Sequence, residues 1–150
     1  MKKIRKEISS WGNNFQVDAM ISVFNNKKLI KDLDKVTIHG NGRSYGDSAL
    51  GLNILKMEEN NKVSFFDSKK GIIDCNSGIK LKDLNSLIVP KGWFLPVSPG
   101  TSMATIGGCV ASDVHGKNHF LNGSFTDHII SIKLMKVNGS IIEISNSKFK

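Results

Sequence analysis

A chain of 150 residues with a net charge of +8, 39% hydrophobic and 23% charged residues has the balance of an ordinary globular protein, which excludes a disordered or membrane-embedded class. That length is one domain's worth and can bury roughly two-thirds of its unfolded surface without a disulfide or metal staple. The two cysteines, Cys75 and Cys109, allow one bridge at most and fit a reducing compartment.

Four of the first six residues are basic, but Glu7-Ile-Ser-Ser-Trp11 follows in place of an apolar segment, so no secretory signal is expected. No run approaches the roughly 20 apolar residues that span a bilayer. A cytoplasmic-side protein is expected, with peripheral attachment to the inner membrane left open. Residues 1–12 read as a loosely tied basic arm and residues 13–150 as the folded domain. Lys27, Lys28, Lys31 and Lys35 add charge to that end. Basic residues are otherwise scattered and mostly Lys, the pattern of a solvated surface more than of a nucleic-acid interface.

Val36–His39 predicts a short strand that runs into a glycine-rich loop. Asn53–Met57, Lys62–Phe66 and Gly71–Cys75 predict three more strands bounded by Asn and Gly. Leu81, Leu84, Leu87 and Ile88 recur at helical spacing, and Pro90 with Gly92 ends that helix. Pro96 and Pro99-Gly100 enforce a turn, after which Thr101 or Ser102 is expected to cap a helix through Met103–Ala111. His128–Val137 and Ser140–Ser145 predict strands joined by a two-residue Asn138-Gly139 turn. The order is rich in strands without regular βα alternation, so the fold class is α+β. No second domain is expected after the hairpin.

Three constellations could carry chemistry. His39-Gly-Asn-Gly-Arg-Ser-Tyr-Gly-Asp47 follows a strand, and its three glycines in seven residues let successive backbone N–H groups face an anion. Tyr45 occupies the third-glycine position of the dinucleotide fingerprint and no Gly-Lys-Ser/Thr follows, so the loop is neither that motif nor a Walker loop. Pro99–Gly116 combines a helix start with Gly107 and Gly108, suited to an anion or a flat ring close to the backbone; tight helix packing is the plain alternative. His115-Gly-Lys-Asn-His119 lacks a zinc-ligand pattern, so no metal is expected. Cys75 and Cys109 read as inert thiols, Ser98, Ser102 and Ser112 lack a hydrolase context, and Trp11 and Trp93 read as packing residues.

In order, Gly40–Asp47, the Ser77-Gly78 turn, Pro96–Thr101, Thr105–Gly108 and Asp113–His119 resemble the vanillyl-alcohol-oxidase/PCMH-type FAD-binding domain, over roughly residues 10–145. The most similar branch is that of decaprenylphosphoryl-β-D-ribose 2-oxidase, where His115–His119 and Gly123-Ser-Phe125 have counterparts. The resemblance implies two small α/β lobes without the substrate (cap) domain. It implies that Gly40, Asn41, Gly42, Arg43, Ser44, Tyr45, Gly46 and Asp47 form one pyrophosphate loop. Gly100, Thr105, Ile106, Gly107 and Gly108 would close the other side, Ser112, Asp113 and His115 would line the cofactor, and Lys117 would face the substrate. Arg43 stands where several relatives carry a flavin-linked histidine, so non-covalent FAD is implied. The implied reaction is oxidation of a sugar or polyol alcohol, including a polyprenyl-phosphate sugar, by hydride transfer to flavin. It would need a substrate domain or partner chain, so binding is expected ahead of turnover. The competing reading is a non-catalytic module that binds nucleic acid or acidic lipid through the basic arm.

Overall fold

Val17, Ala19, Ile21 and Val23 alternate with Asp18, Met20 and Ser22, the period of a half-buried strand. The computed structural model, which describes residues 4–24 and 35–146, places them in β2 (Gln16–Val23). Strand β1 (Ile4–Ser9) pairs antiparallel with β2, in register from Ile4 opposite Ile21 to Ser9 opposite Gln16. Strands β3 (Thr37–His39) and β4 (Asn53–Lys56) complete a mixed sheet in the order β1-β2-β4-β3, with β2 and β3 both parallel to β4. Ala19, Ile21 and Ile54 form its core, backed by Ile8 and Val17.

The expected loose arm is therefore corrected from Ile4 onward. Alternation carries Ile8 into the core, and a full ladder ties the segment down. Arg5 bridges Asp18 across the pair at 2.8 Å, an exposed contact that solvent screens. The basic residues Lys2, Lys3, Lys27, Lys28 and Lys31 lie outside the described residues.

A second core gathers Leu81, Val97, Cys109 and Phe125. Helix α1 (Leu81–Ile88) buries Leu81, Leu84 and Ile88 on one stripe and closes in a single 3-10 turn through Pro90 to Gly92. Helices α2 (Ile106–Ala111) and α3 (His119–Asn122) follow, then a 3-10 turn at Phe125–His128 held by a reciprocal Ser124–Asp127 capping box. The two cores give the mixed α+β fold in two small lobes. No helix among the described residues is long and apolar enough to cross a membrane.

Helix α2 starts later than expected. Thr105, not Thr101 or Ser102, is its N-cap, with extended backbone and Oγ1 accepting from the Gly108 amide at 3.2 Å. The reason is competition from α1. Its first amides, on Leu81 and Lys82, donate to the carbonyls of Ala104 and Ser102 at 2.9 and 2.8 Å. That pairing holds residues 102–104 outside the helix, while Thr101 Oγ1 accepts from the Met103 amide.

Two hairpin ribbons complete the fold, β5 (Val63–Asp67) with β6 (Ile72–Cys75), and β7 (Ser131–Met135) with β8 (Ile141–Ser145). The β7–β8 connection is wider than a two-residue turn. The Lys136 amide donates to the Ser140 carbonyl at 2.8 Å, and of Asn138 and Gly139 only Gly139 takes positive φ. One ribbon face pairs Ile132 with Ile144 and Leu134 with Ile142, and Ile132, Leu134 and Ile144 remain exposed.

Leu84 is 1% exposed and Leu87, one position off the buried stripe, is 38% exposed. Leu84→Ala is expected to cost about 2–5 kcal/mol in denaturant unfolding and Leu87→Ala about 1 kcal/mol or less. Equal losses would contradict the burial of Leu84 and the exposure of Leu87 on α1.

Candidate functional site

Glycine brings the two sequence stretches together. A Cβ on Gly40 would lie 2.6 Å from Thr105 Oγ1, so only a hydrogen fits between the loop and the α2 cap. The next side chain completes the joint, since Asn41 Nδ2 donates to the Met103 carbonyl at 2.9 Å. Gly42 and Gly46, both at φ 63, then turn the chain through Arg43, Ser44 and Tyr45. Buried His39 supports the turn from below. Its Nδ1 lies 2.9 Å from the Ala49 carbonyl, which can only accept, so Nδ1 carries the proton.

The amides divide into two groups. At the start of α2 every donor is taken: Ile106 donates to the Ile79 carbonyl (2.9 Å), Gly107 to Ser77 (2.7 Å), and Gly108 to Thr105 Oγ1 (3.2 Å). The expectation of free N–H groups at this helix start is corrected on that ground. Gly107 serves close packing, because a Cβ there would meet Ser77 at 2.9 Å. Along the first loop the opposite holds. Among the described residues, no amide from Asn41 to Asp47 donates to a protein group, nor do those of Gly100, Thr101 and Ser102. These unclaimed donors flank the Gly40–Thr105 joint, which is the arrangement a polyphosphate needs.

Positive charge at the loop comes from Arg43. Its Cζ sits 3.9 Å from the Trp11 ring centroid, its Nε is buried without a hydrogen-bond partner, and among the described residues no carboxylate pairs with it. Trp11 is half exposed and stacks, where packing was expected. Trp93 does pack, under Gly71, with Nε1 donating to the Ser68 carbonyl at 2.7 Å. Tyr45 and Asp47 are exposed in the loop, Ser44 is partly buried, and a Cβ on Gly100 would meet nothing within 4 Å.

The later candidates sit along an adjoining loop. Gly116 packs on the Ser98 carbonyl, and Asn118 Nδ2 donates to the Pro96 carbonyl at 2.9 Å, so residues 113–118 run beside the segment that leads into Thr105. Ser112, His115 and Lys117 are exposed there. His115 meets His119 edge to face at 5.3 Å, and no three metal-ligating side chains gather among the described residues. Asp113, at φ 39, is committed to structure: it accepts from the Thr126 amide at 3.0 Å and from its hydroxyl at 2.7 Å. Those two bonds, with a weaker one from Ser124, hold its carboxyl below the ordinary 3.8. Burial pushes both thiols up to about 11, helped at Cys75 by Asp74, in keeping with inert cysteines.

Comparison with known proteins bears on this geometry. The family described as FAD binding domain matches residues 17–145. The chain is 32% identical over 147 residues to decaprenylphosphoryl-β-D-ribose oxidase of Mycolicibacterium smegmatis, covering 91% of this chain and 32% of that protein. It is 23% identical over 141 residues to D-lactate dehydrogenase of Archaeoglobus fulgidus, covering 92% and 30%. The solved structure of alkyldihydroxyacetonephosphate synthase shares the fold, with a TM-score of 0.71 at 17% identity over 90% of this chain and 26% of that one. The chain thus spans about a third of the length of the curated relatives named here.

Gly40→Ala forces Thr105 aside and is expected to lower stability by about 1–3 kcal/mol in denaturant unfolding, with Gly100→Ala, in open space, as the neutral control. Asp113 supplies an acid-dependent term. Its folded-state pKa is depressed, so its contribution is present above the unfolded value and is lost as pH falls through the folded one. Asn tolerates the positive φ but has one oxygen and no charge, so Asp113→Asn should lower Tm near neutral pH. The gap from the unsubstituted chain should close on acidification below 3.8; a pH-independent gap would contradict this.

Proposed function

The chain belongs to the FAD binding domain family, and from that premise we propose that it forms the diphosphate-binding part of a flavin-dependent oxidoreductase. The observation that carries this reading is the joint between Gly40 and Thr105, flanked by unclaimed amides at Asn41–Asp47 and Gly100–Ser102. Fixed donors without side-chain bulk suit a diphosphate, and the Arg43 guanidinium supplies opposite charge. Gly107 and Gly108 then support the cradle from behind, since their amides are already paired.

When bound, the flavin would accept the hydrogen and electron pair of a substrate alcohol carbon. The residues of this chain bind and orient. The first loop holds the anion, Thr105 fixes the opposite wall, and the exposed run Ser112, His115 and Lys117 borders the cofactor, with Lys117 on the substrate side. Non-covalent attachment is proposed because Arg43 stands where a linking histidine would, and a guanidinium stays protonated and does not bond to the ring. The proposed substrate class is a sugar or polyol alcohol, supported by the similarity to a ribose-derivative oxidase. Most substrate contacts would come from protein outside these residues. The nucleic-acid or acidic-lipid reading is not favoured: from Ile4 the basic segment is an edge strand, with Arg5 paired to Asp18.

Titrating the chain with FAD is the test. Near-saturating FAD should give a yellow protein and raise Tm by about 5–10 °C. Denaturation should then release all the flavin into the supernatant. A colourless protein with an unmoved Tm would overturn the reading, and flavin retained by denatured chain would overturn non-covalent attachment.

A further inference from the structure

The turn between β1 and β2 meets the anion loop at Arg43 and Ser44 and runs close beside Tyr45. The Trp11 amide donates to the Ser44 carbonyl at 3.1 Å, the Trp11 indole lies under the Arg43 guanidinium at 3.9 Å, and the Cβ position of Gly12 is 3.9 Å from Tyr45 Cδ1. Stacking on an indole face engages the plane of a guanidinium and leaves its edge, where all five N–H donors lie, free to meet another group. Arg43 Nε is itself buried without a partner, so the terminal nitrogens are the donors a ligand would meet, and among the described residues Arg43 has no carboxylate within ion-pair distance. A half-exposed tryptophan thus holds one unneutralised cation in place beside a row of unclaimed amides.

We infer that Trp11 is a positioning residue for ligand binding: its indole pre-orders Arg43, so that the guanidinium edge meets the cofactor diphosphate without first losing side-chain freedom. The inference rests on the diphosphate reading given above. It assigns to the N-terminal hairpin turn a part in binding that the loop's own residues do not supply. Because ordering the long Arg side chain is unfavourable at the moment of binding, doing so beforehand tightens binding. A cation–π contact of ordinary strength corresponds to a change in Kd of about 3- to 30-fold.

The experiment is a double-mutant cycle on the full 150-residue chain, with FAD as ligand and Kd read by titration calorimetry. Trp11→Ala and Arg43→Gln should each weaken binding, and Trp11→Phe, which keeps an aromatic face, should restore part of the loss. The double variant should bind no more weakly than Arg43→Gln alone, because Trp11 acts through Arg43. A purely structural tryptophan would weaken binding equally in both backgrounds, and that additive result overturns the inference. Unchanged affinity in Trp11→Ala overturns it too, while the diphosphate reading survives. Absence of FAD binding by the unsubstituted chain overturns both readings. In a Trp93→Phe background, FAD should also quench Trp11 emission, a signal lost in Arg43→Gln beyond what its weaker affinity explains; an unresponsive Trp11 at saturating FAD counts against the inference.

Discussion

Residues 77–82 and 102–107 hold each other through their helix ends. The first amides of α1 donate to the carbonyls of Ala104 and Ser102, and the first amides of α2 donate to those of Ser77 and Ile79. Each helix N-terminus has orphan donors, and here each finds them acceptors in the strand-like lead-in of the other. The two leading amides of each helix therefore need no water or ligand. This reciprocal closure fixes Thr105 in space, buried at 3% exposure, and Thr105 is the wall against which the Gly40 turn rests.

That closure also decides which backbone groups remain for an anion. Helix N-termini bind anions when their amides are free and the dipole is unopposed. In this chain the α2 start is spent on internal carbonyls and on Thr105 Oγ1, whereas the amides of the neighbouring glycine turn stay unclaimed. Charge follows the same division, with Arg43 on the turn and no basic residue in α2. The family match spans residues 17–145 and singles out no loop; the unclaimed amides are what favour the turn as the proposed anion site.

Much of this was readable in the residues. The helical spacing of Leu81, Leu84, Leu87 and Ile88, strands β4 to β6, and the glycine turn at 40–46 are local patterns, and each stands close to where its pattern put it, except that Leu87 falls off the buried stripe. Strand β2 was equally periodic through Val17, Ala19, Ile21 and Val23. That signal was available and passed over, and with it the partner that makes β1 a strand. The start of α2 was not readable, because the competition that delays it comes from amides on α1, distant in sequence. The same is true of Asp113, whose acceptors serve Thr126, and of Trp11, whose role depends on the register of β1 with β2 bringing the turn beneath Arg43. Local chemistry set the elements; long-range hydrogen bonds decided which groups stayed available.

The β7–β8 ribbon has a consequence of another kind. Its cross-strand ladder is complete, but Ile132, Leu134 and Ile144 remain 38%, 50% and 46% exposed. A two-stranded ribbon so placed draws little on the cooperativity of the cores, and hairpins of this size are marginal by themselves. Such a ribbon is expected to open as a sub-global unit, its amides exchanging with solvent deuterium ahead of those in β2 and β4.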